Sequence, residues 1–140
     1  MNTTTTKLGA TVHLTADFST ALDRVVAALK TEGFGVLTEI DVQDTLKKKL
    51  NVDFRRYRIL GACNPTLAHR ALEAAPEVGL LLPCNVVVSA VDDQHTDVSI
   101  VDPLAMLGFV GHPALKPIAE EAGARLNRVA TALQTVPLPA

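Results

Sequence analysis

The sequence predicts an α/β domain, of the two-layer α+β kind, in which a single mixed β-sheet of about five strands carries helices mainly on one face. Segments with strand-like apolar alternation follow segments of helical periodicity along most of the chain, and one pair of strands follows directly as a hairpin. With 140 residues, 48% of them hydrophobic, the chain is long enough to build one core without disulfides or metal. We therefore expect one domain over residues 1–140, with frayed ends at residues 1–6 and 135–140.

The strand segments are alternating or continuously apolar stretches at residues 7–14, 34–40, 54–62, 80–91 and 97–101. The fourth of them is almost continuously apolar, which predicts burial on both faces. It contains Pro83, which cannot donate a ladder hydrogen bond, so we expect an edge position or a bulge there.

Helix starts are marked by residues that cap well: Asp17 or Ser19, Asp41, Asn64 before Pro65, and Asp102 before Pro103. Gly33 provides the left-handed end of the first helix. In the second helix, Val42, Leu46 and Leu50 share one side, which predicts a buried stripe. A long amphipathic helix runs from Leu115 to Leu133, and the predicted order is β-α-β-α-β-α-β-β-α-α.

Composition and charge exclude several classes of function. The net charge of −2 gives no pull towards nucleic acid or an anionic membrane, and with no Trp, one Tyr and four Phe there is no platform for stacking bases. No apolar run is long enough to span a bilayer, and the Thr-rich start has no signal-peptide core. Two cysteines in this context predict reduced thiols in the cytoplasm. We expect no cofactor and no bound metal.

Cys63 is a candidate functional residue because it lies at the end of a predicted strand, one residue before the helix cap Asn64. A helix N-terminus lowers a thiol pKa and favours the nucleophilic thiolate, and strand-to-helix junctions often form ligand crevices. The simpler interpretation, which we prefer, is a small buried residue that seals the strand end. Cys84, followed by Asn85, would approach Cys63 if the two strands are neighbours, but their spacing matches no zinc, iron–sulfur or thioredoxin-like motif.

Three further side chains have a catalytic and a structural interpretation. His69 lies in the third helix near Cys63, where it would serve as a base for the thiol. It falls outside the apolar stripe of that helix, so the simpler interpretation is a surface residue. Glu39 and Asp41 share one side of a strand, as acid–base or cation-binding carboxylates do. The structural interpretation is that Asp41 caps a helix and Glu39 pairs with a nearby arginine.

A basic cluster contains nearly half of the 13 basic residues: Lys47, Lys48, Lys49, Arg55, Arg56 and Arg58. Such a cluster can bind phosphate, an acidic partner or RNA. Only Phe54 and Tyr57 are interleaved with it, so a solvated basic face is the simpler interpretation. The sequence has no glycine-rich phosphate loop, no serine elbow and no zinc motif.

Three strings in particular carry a family resemblance: GFGVLTEID from Gly33, YRILGACNP from Tyr57 and GLLLPCNV from Gly79. From about residue 8 to residue 133, the sequence resembles the bacterial and archaeal family called domain of unknown function 302. The resemblance implies a small, self-associating α/β domain with no established activity. It also implies a set of characteristic polar and special positions: Glu39, Asp41, Cys63, Asn64, Pro83, Cys84, Asn85 and Asp102.

Two functional hypotheses follow. The first is a non-catalytic, homo-oligomeric (dimeric) binding or assembly module, with a small molecule or a protein partner held near the strand ends beside Cys63. It is motivated by a complete fold without a complete catalytic set. The alternative is a thiol-dependent redox or sulfur/acyl-transfer protein, in which Cys63 is the nucleophile and Cys84 resolves the intermediate.

Overall fold

One antiparallel sheet of six strands, in the order β1-β2-β6-β5-β4-β3, forms the frame of the protein. The computed structural model describes residues 2–135, with the last of these described by its backbone alone. The strands are β1 (Thr3–Thr5), β2 (Gly9–Leu14), β3 (Gly35–Asp41), β4 (Tyr57–Cys63), β5 (Cys84–Ala90) and β6 (Thr96–Val101). The predicted α/β class built on a single sheet is confirmed, and the sheet proves to be antiparallel rather than mixed.

The antiparallel pairing follows from where the connecting helices return the chain. The helix between β3 and β4, and the helix between β4 and β5, each join strands that are neighbours in the sheet. Only the connection from β2 to β3 crosses to the far edge. An alternation of strands and helices in sequence is compatible with either arrangement, so the pattern alone could not distinguish them.

The sixth strand, β1, lies where the sequence predicts a frayed end. Thr3 pairs with Val12 and Thr5 with Ala10 at the edge of the sheet. Threonine is β-branched and favours strands, which accounts for an ordered edge from a polar segment. Residues 136–140, which belong to the predicted frayed C-terminus, lie outside the described residues.

The helices begin where the capping residues predict. They are α1 (Phe18–Thr31), α2 (Val42–Leu50), α3 (Pro65–Ala74), α4 (Pro103–Leu107) and α5 (Leu115–Thr135), with 3-10 turns at Pro76–Leu81 and Gly108–Val110. Asp17, Asp41, Asn64 and Asp102 each accept a backbone N–H from the first turn of their helix. Gly33 has φ +81° after α1, as predicted for a left-handed helix end.

The predicted buried stripe of α2 is wrong. No residue of α2 is buried, and the side chain of Leu50 is 65% exposed. The helix contacts β4 near the β3 edge and contributes to neither cluster of buried side chains. The amphipathic spacing of this short helix therefore did not predict burial correctly. The exposure of its apolar side chains is set by the position of the helix at the edge of the sheet.

The fourth predicted strand is shorter than expected and is buried on one face only. Residues 80 and 81 belong to the 3-10 turn, and β5 alternates from buried Cys84 to exposed Asn85 and buried Val86. Pro83 follows a cis peptide bond and precedes β5, a central strand, so the predicted edge position or bulge at Pro83 is wrong. The irregular register lies in β3 instead, between Val36 and Thr38.

Two clusters of buried side chains hold the helices to the sheet. The first lies between the inner face of the sheet, α1 and the C-terminal half of α5, and includes Leu29, Leu60 and Val129. The second lies between α3, the first 3-10 turn, α4 and the N-terminal half of α5. The long helix α5 thus joins both clusters, and the second cluster lies beside the ends of β4 and β5. No helix within residues 2–135 is long and apolar enough to cross a membrane.

Candidate functional site

An apolar pocket of about 290 Å³ lies where the ends of β4 and β5 meet α3 and α5. This volume is near the lower limit for sites that bind small molecules. Its walls are formed by Phe34, Leu37, Ala62, Cys63, Asn64, Leu67, Ala68, Ala71, Leu72, Leu82, Pro83, Cys84, Pro103, Leu107, Ile118 and Ala122. It is the crevice predicted beside Cys63, and aliphatic side chains make up most of its surface.

Strand pairing brings both cysteines to this pocket. The strand β4 ends at Cys63 and its antiparallel neighbour β5 begins at Cys84, so the two ends meet at the same edge of the sheet. Ala62, one residue before Cys63, is the register partner of Cys84. Both thiols are free; Cys63 is partly exposed and Cys84 is buried.

The thiols are not activated in the way the helix dipole predicts. Burial raises the pKa of the Cys63 thiol above its usual value. Burial, with a smaller contribution from the neighbouring Cys63, raises the pKa of Cys84 to about 11. Desolvation is the cause of the raised pKa of Cys63 and the larger cause of the raised pKa of Cys84. Both thiols are neutral at physiological pH and serve as weakly polar parts of an apolar surface.

Asn64 fixes the start of α3 and thereby the position of Cys63. Its side-chain oxygen accepts the Leu67 N–H at 3.2 Å, and its amide nitrogen donates to the Glu32 carbonyl at 3.5 Å. The same carbonyl, at the C-terminal end of α1, accepts a hydrogen bond from Arg125 Nη1 at 3.1 Å. Both polar atoms of the Asn64 amide are therefore engaged by the fold, and its role in the pocket is positional.

The two paired carboxylates, Glu39 and Asp41, both contact Arg58. Arg58 forms an ion pair with Glu39, and its Nε lies 3.5 Å from Asp41 Oδ2. The other carboxylate oxygen of Asp41 accepts the Asp44 N–H at 3.0 Å as the cap of α2. Neither Glu39 nor Asp41 lines the apolar pocket.

The remaining candidates also lie outside this pocket. His69 is exposed, and its Nε2 lies 2.7 Å from Glu73 Oε1 on the surface of α3. Asn85 is exposed on the outer side of β5. Asp102 caps α4 through the Leu104 N–H and borders a separate cleft of about 450 Å³ with mixed polar and apolar walls.

Much of the charge in the basic cluster is neutralised by neighbouring acids. Lys47 lies 3.1 Å from Asp53, and Lys48 lies 2.9 Å from Asp44. Together with the ion pairs of Arg58, these contacts support a solvated face rather than an anion site. Within residues 2–135, no group of three or more His, Cys, Asp or Glu side chains is arranged to hold a metal ion.

Sequence reasoning missed the walls that come from the second buried cluster, especially Leu107, Ile118 and Ala122. The amphipathic spacing of the last helix predicts that Ile118 and Ala122 are buried, which is correct, but it contains no signal that a cavity remains beside them. The Cys-Asn strings at the ends of the two strands were the only usable pointer, since both occur where strands meet helices.

Comparisons with known proteins point to one family. The family model described as "Domain of unknown function DUF302" matches residues 10–133. A solved structure described as the crystal structure of an uncharacterized conserved protein DUF302 from Bacillus stearothermophilus is similar, with a TM-score of 0.79 and 34% identity, covering 87% of this chain and 94% of that chain. A search of curated proteins gives no significant match. The matched range of the family model includes every residue that lines the apolar pocket.

Proposed function

The chain belongs to the DUF302 family, whose description assigns no activity, and we propose that it is a non-catalytic module that binds a small, neutral, apolar molecule and works as a homo-oligomer. The observation that carries the proposal is the apolar pocket beside Cys63. A cytoplasmic location fits the two free thiols, which a reducing compartment maintains.

The chemistry of the walls selects the ligand. Among the described residues 2–135, no Asp, Glu, Lys, Arg or His side chain lines the pocket. The two thiols carry raised pKa values and are neutral. A charged ligand would lose its hydration without gaining a partner, which is costly. An uncharged ligand with an apolar body gains from the aliphatic walls instead.

The thiol-dependent hypothesis is the second candidate, because one observation favours it: Cys63 and Cys84 line the same pocket and Cys63 is partly exposed. In this account Cys63 is a reactive thiol and Cys84 resolves the intermediate. The raised pKa of Cys63 is unfavourable for a nucleophile at neutral pH, since the thiolate is the reactive form. We therefore rank binding ahead of thiol chemistry.

Filling the pocket tests the binding proposal. The uncharged dye N-phenyl-1-naphthylamine, whose fluorescence rises in apolar surroundings, serves as the probe. We expect saturable binding to the wild-type protein. In Ala68→Phe, an aromatic ring enters the pocket from α3, and we expect the affinity to fall by at least about tenfold because the space is occupied.

Ala105→Phe is the matched control, because Ala105 is exposed on α4 and does not line the pocket. It should bind the dye as the wild type does, and both variants should melt cooperatively. Equal dye affinity in Ala68→Phe and Ala105→Phe would refute the proposed site, as would an absence of saturable binding to the wild type.

A further inference from the structure

The outer face of the sheet carries almost no charge. Side chains that point away from the inner core alternate along each strand, and in the five strands β2 to β6 they remain exposed or half-exposed: Thr11, His13, Thr38, Ile40, Tyr57, Ile59, Asn85, Val87, Ser89, Asp97, Ser99 and Val101. Among them, His13 and Asp97 are the basic and acidic side chains, and these two pair with each other at 2.7 Å. Depletion of charge at the centre of a surface is typical of protein interfaces.

The centre of this face is apolar and continuous across strands. Ser99 on β6 pairs with Val87 on β5, and Val87 pairs with Ile59 on β4, which pairs in turn with Ile40 on β3. Val101 and Tyr57 border the same row on neighbouring positions. A contiguous apolar patch on an exposed surface is typical of a site of protein–protein interaction.

The size of the face matches one class of partner. The five strands β2 to β6, spaced about 4.8 Å apart and each about 20 Å long, give a planar area of about 500 Å². Standard interfaces bury about 800 Å² of accessible surface per partner. The accessible surface of this face is larger than its planar area, because side chains make it uneven, and it approaches that value. The most exposed large hydrophobic side chains, Phe109 (91%) and Leu80 (87%), belong to the 3-10 turns and are isolated projections of much smaller area.

We propose that this outer face is the interface through which two copies of the chain form a dimer with their sheets packed face to face. The inference rests on the homo-oligomer of the proposed function and names its surface. The strand order places β6 and β5 at the centre, so a two-fold axis passes near the Ser99–Val87 pair and sets each patch against its own copy. A second copy is the partner because its patch is equally uncharged.

A charge placed beside the two-fold axis faces itself across the interface, so it tests the proposal strongly. In sedimentation equilibrium at about 100 µM, we expect the wild type to be a dimer. Val87→Lys and, separately, Ser99→Lys place two lysines against each other and should weaken dimerisation by about 100-fold or more. The controls Ala105→Lys, on exposed α4, and Phe109→Ser should remain dimeric.

Circular dichroism and dye binding on the same samples distinguish a failure of the proposed dimer interface from a failure of the proposed binding pocket. The expected result is monomeric Val87→Lys and Ser99→Lys with a native spectrum and unchanged dye affinity. A monomeric wild type, dimeric lysine variants, or loss of the dimer in Phe109→Ser would overturn the interface. Loss of the pocket would instead appear as absent dye binding in a protein that still dimerises through the sheet.

Discussion

Gly61→Ala is expected to destabilise the protein by about 1–3 kcal/mol, because a methyl group at this position overpacks the sheet beside the pocket. Gly61 lies in β4, opposite Thr38 on β3 and Asn85 on β5. A Cβ there would overlap Thr38 Oγ1 and would lie 2.7 Å from Pro83 Cγ. The Thr38 side chain is on an edge strand and can turn away, but Pro83 is held against the pocket wall.

Gly35→Ala provides the matched control. Gly35 lies on β3 beside the same strand, and a Cβ there would meet no heavy atom within 4 Å. Urea denaturation should give a lower midpoint for Gly61→Ala and nearly the wild-type midpoint for Gly35→Ala. Because Pro83 lines the pocket, Gly61→Ala should also weaken dye binding. Equal midpoints for the two variants would show that β4, β3 and Pro83 are not packed as described.

Stability at high pH should depend on Cys84. The folded state raises the pKa of this thiol from 9.0 to about 11, so folding favours the protonated form. The stabilisation is fully present below pH 9 and is lost as the pH rises through about 11. A difference of about two pKa units corresponds to about 2–3 kcal/mol.

Cys84→Ala isolates this contribution, because every other ionisable side chain is common to the two proteins. The free energy of unfolding of the wild type should fall by about 2 kcal/mol more than that of Cys84→Ala between pH 9 and pH 11. The comparison uses the slope with pH, so a constant loss from the smaller side chain does not matter. Parallel curves for the two proteins would mean that Cys84 is not held in an apolar wall.

Local features of the fold were predictable from the sequence because their causes are local. A capping side chain accepts a hydrogen bond from an N–H group two or three residues further along, so its effect does not depend on the rest of the chain. The starts of four helices could therefore be predicted from their capping residues, which are Asp17, Asp41, Asn64 and Asp102. Gly33 likewise meets a local need for positive φ. The resemblance to DUF302 could be seen for a related reason, since the sequence strings GFGVLTEID and YRILGACNP contain Gly33, Asp41 and Asn64.

Burial and the pocket were not predictable in this way. The apolar residues of α2 follow helical spacing, yet Leu50 is exposed because the helix lies at the edge of the sheet. The two Cys-Asn strings pointed to the correct crevice, but the raised thiol pKa values come from walls contributed by residues distant in sequence, such as Leu107 and Ile118. Proximity to a helix N-terminus could be read from the sequence, whereas desolvation could not.

The most direct test of the central claim, that a neutral apolar molecule occupies the pocket beside Cys63, is the rate at which iodoacetamide alkylates this thiol with and without N-phenyl-1-naphthylamine. Cys63 is partly exposed and lines the pocket, whereas Cys84 is buried. Mass spectrometry of the digested protein follows each thiol separately at about pH 8, where a minor fraction of a thiol with a raised pKa is ionised.

We predict slow alkylation of Cys63 in the free protein, slower than in the unfolded chain, and a further decrease by about tenfold when the dye is saturating. In Ala68→Phe the dye should have no effect, because the pocket is already filled. A rate for Cys63 that is unchanged by bound dye would contradict the proposed site. Alkylation of Cys63 faster than in the unfolded chain would favour thiol chemistry over binding.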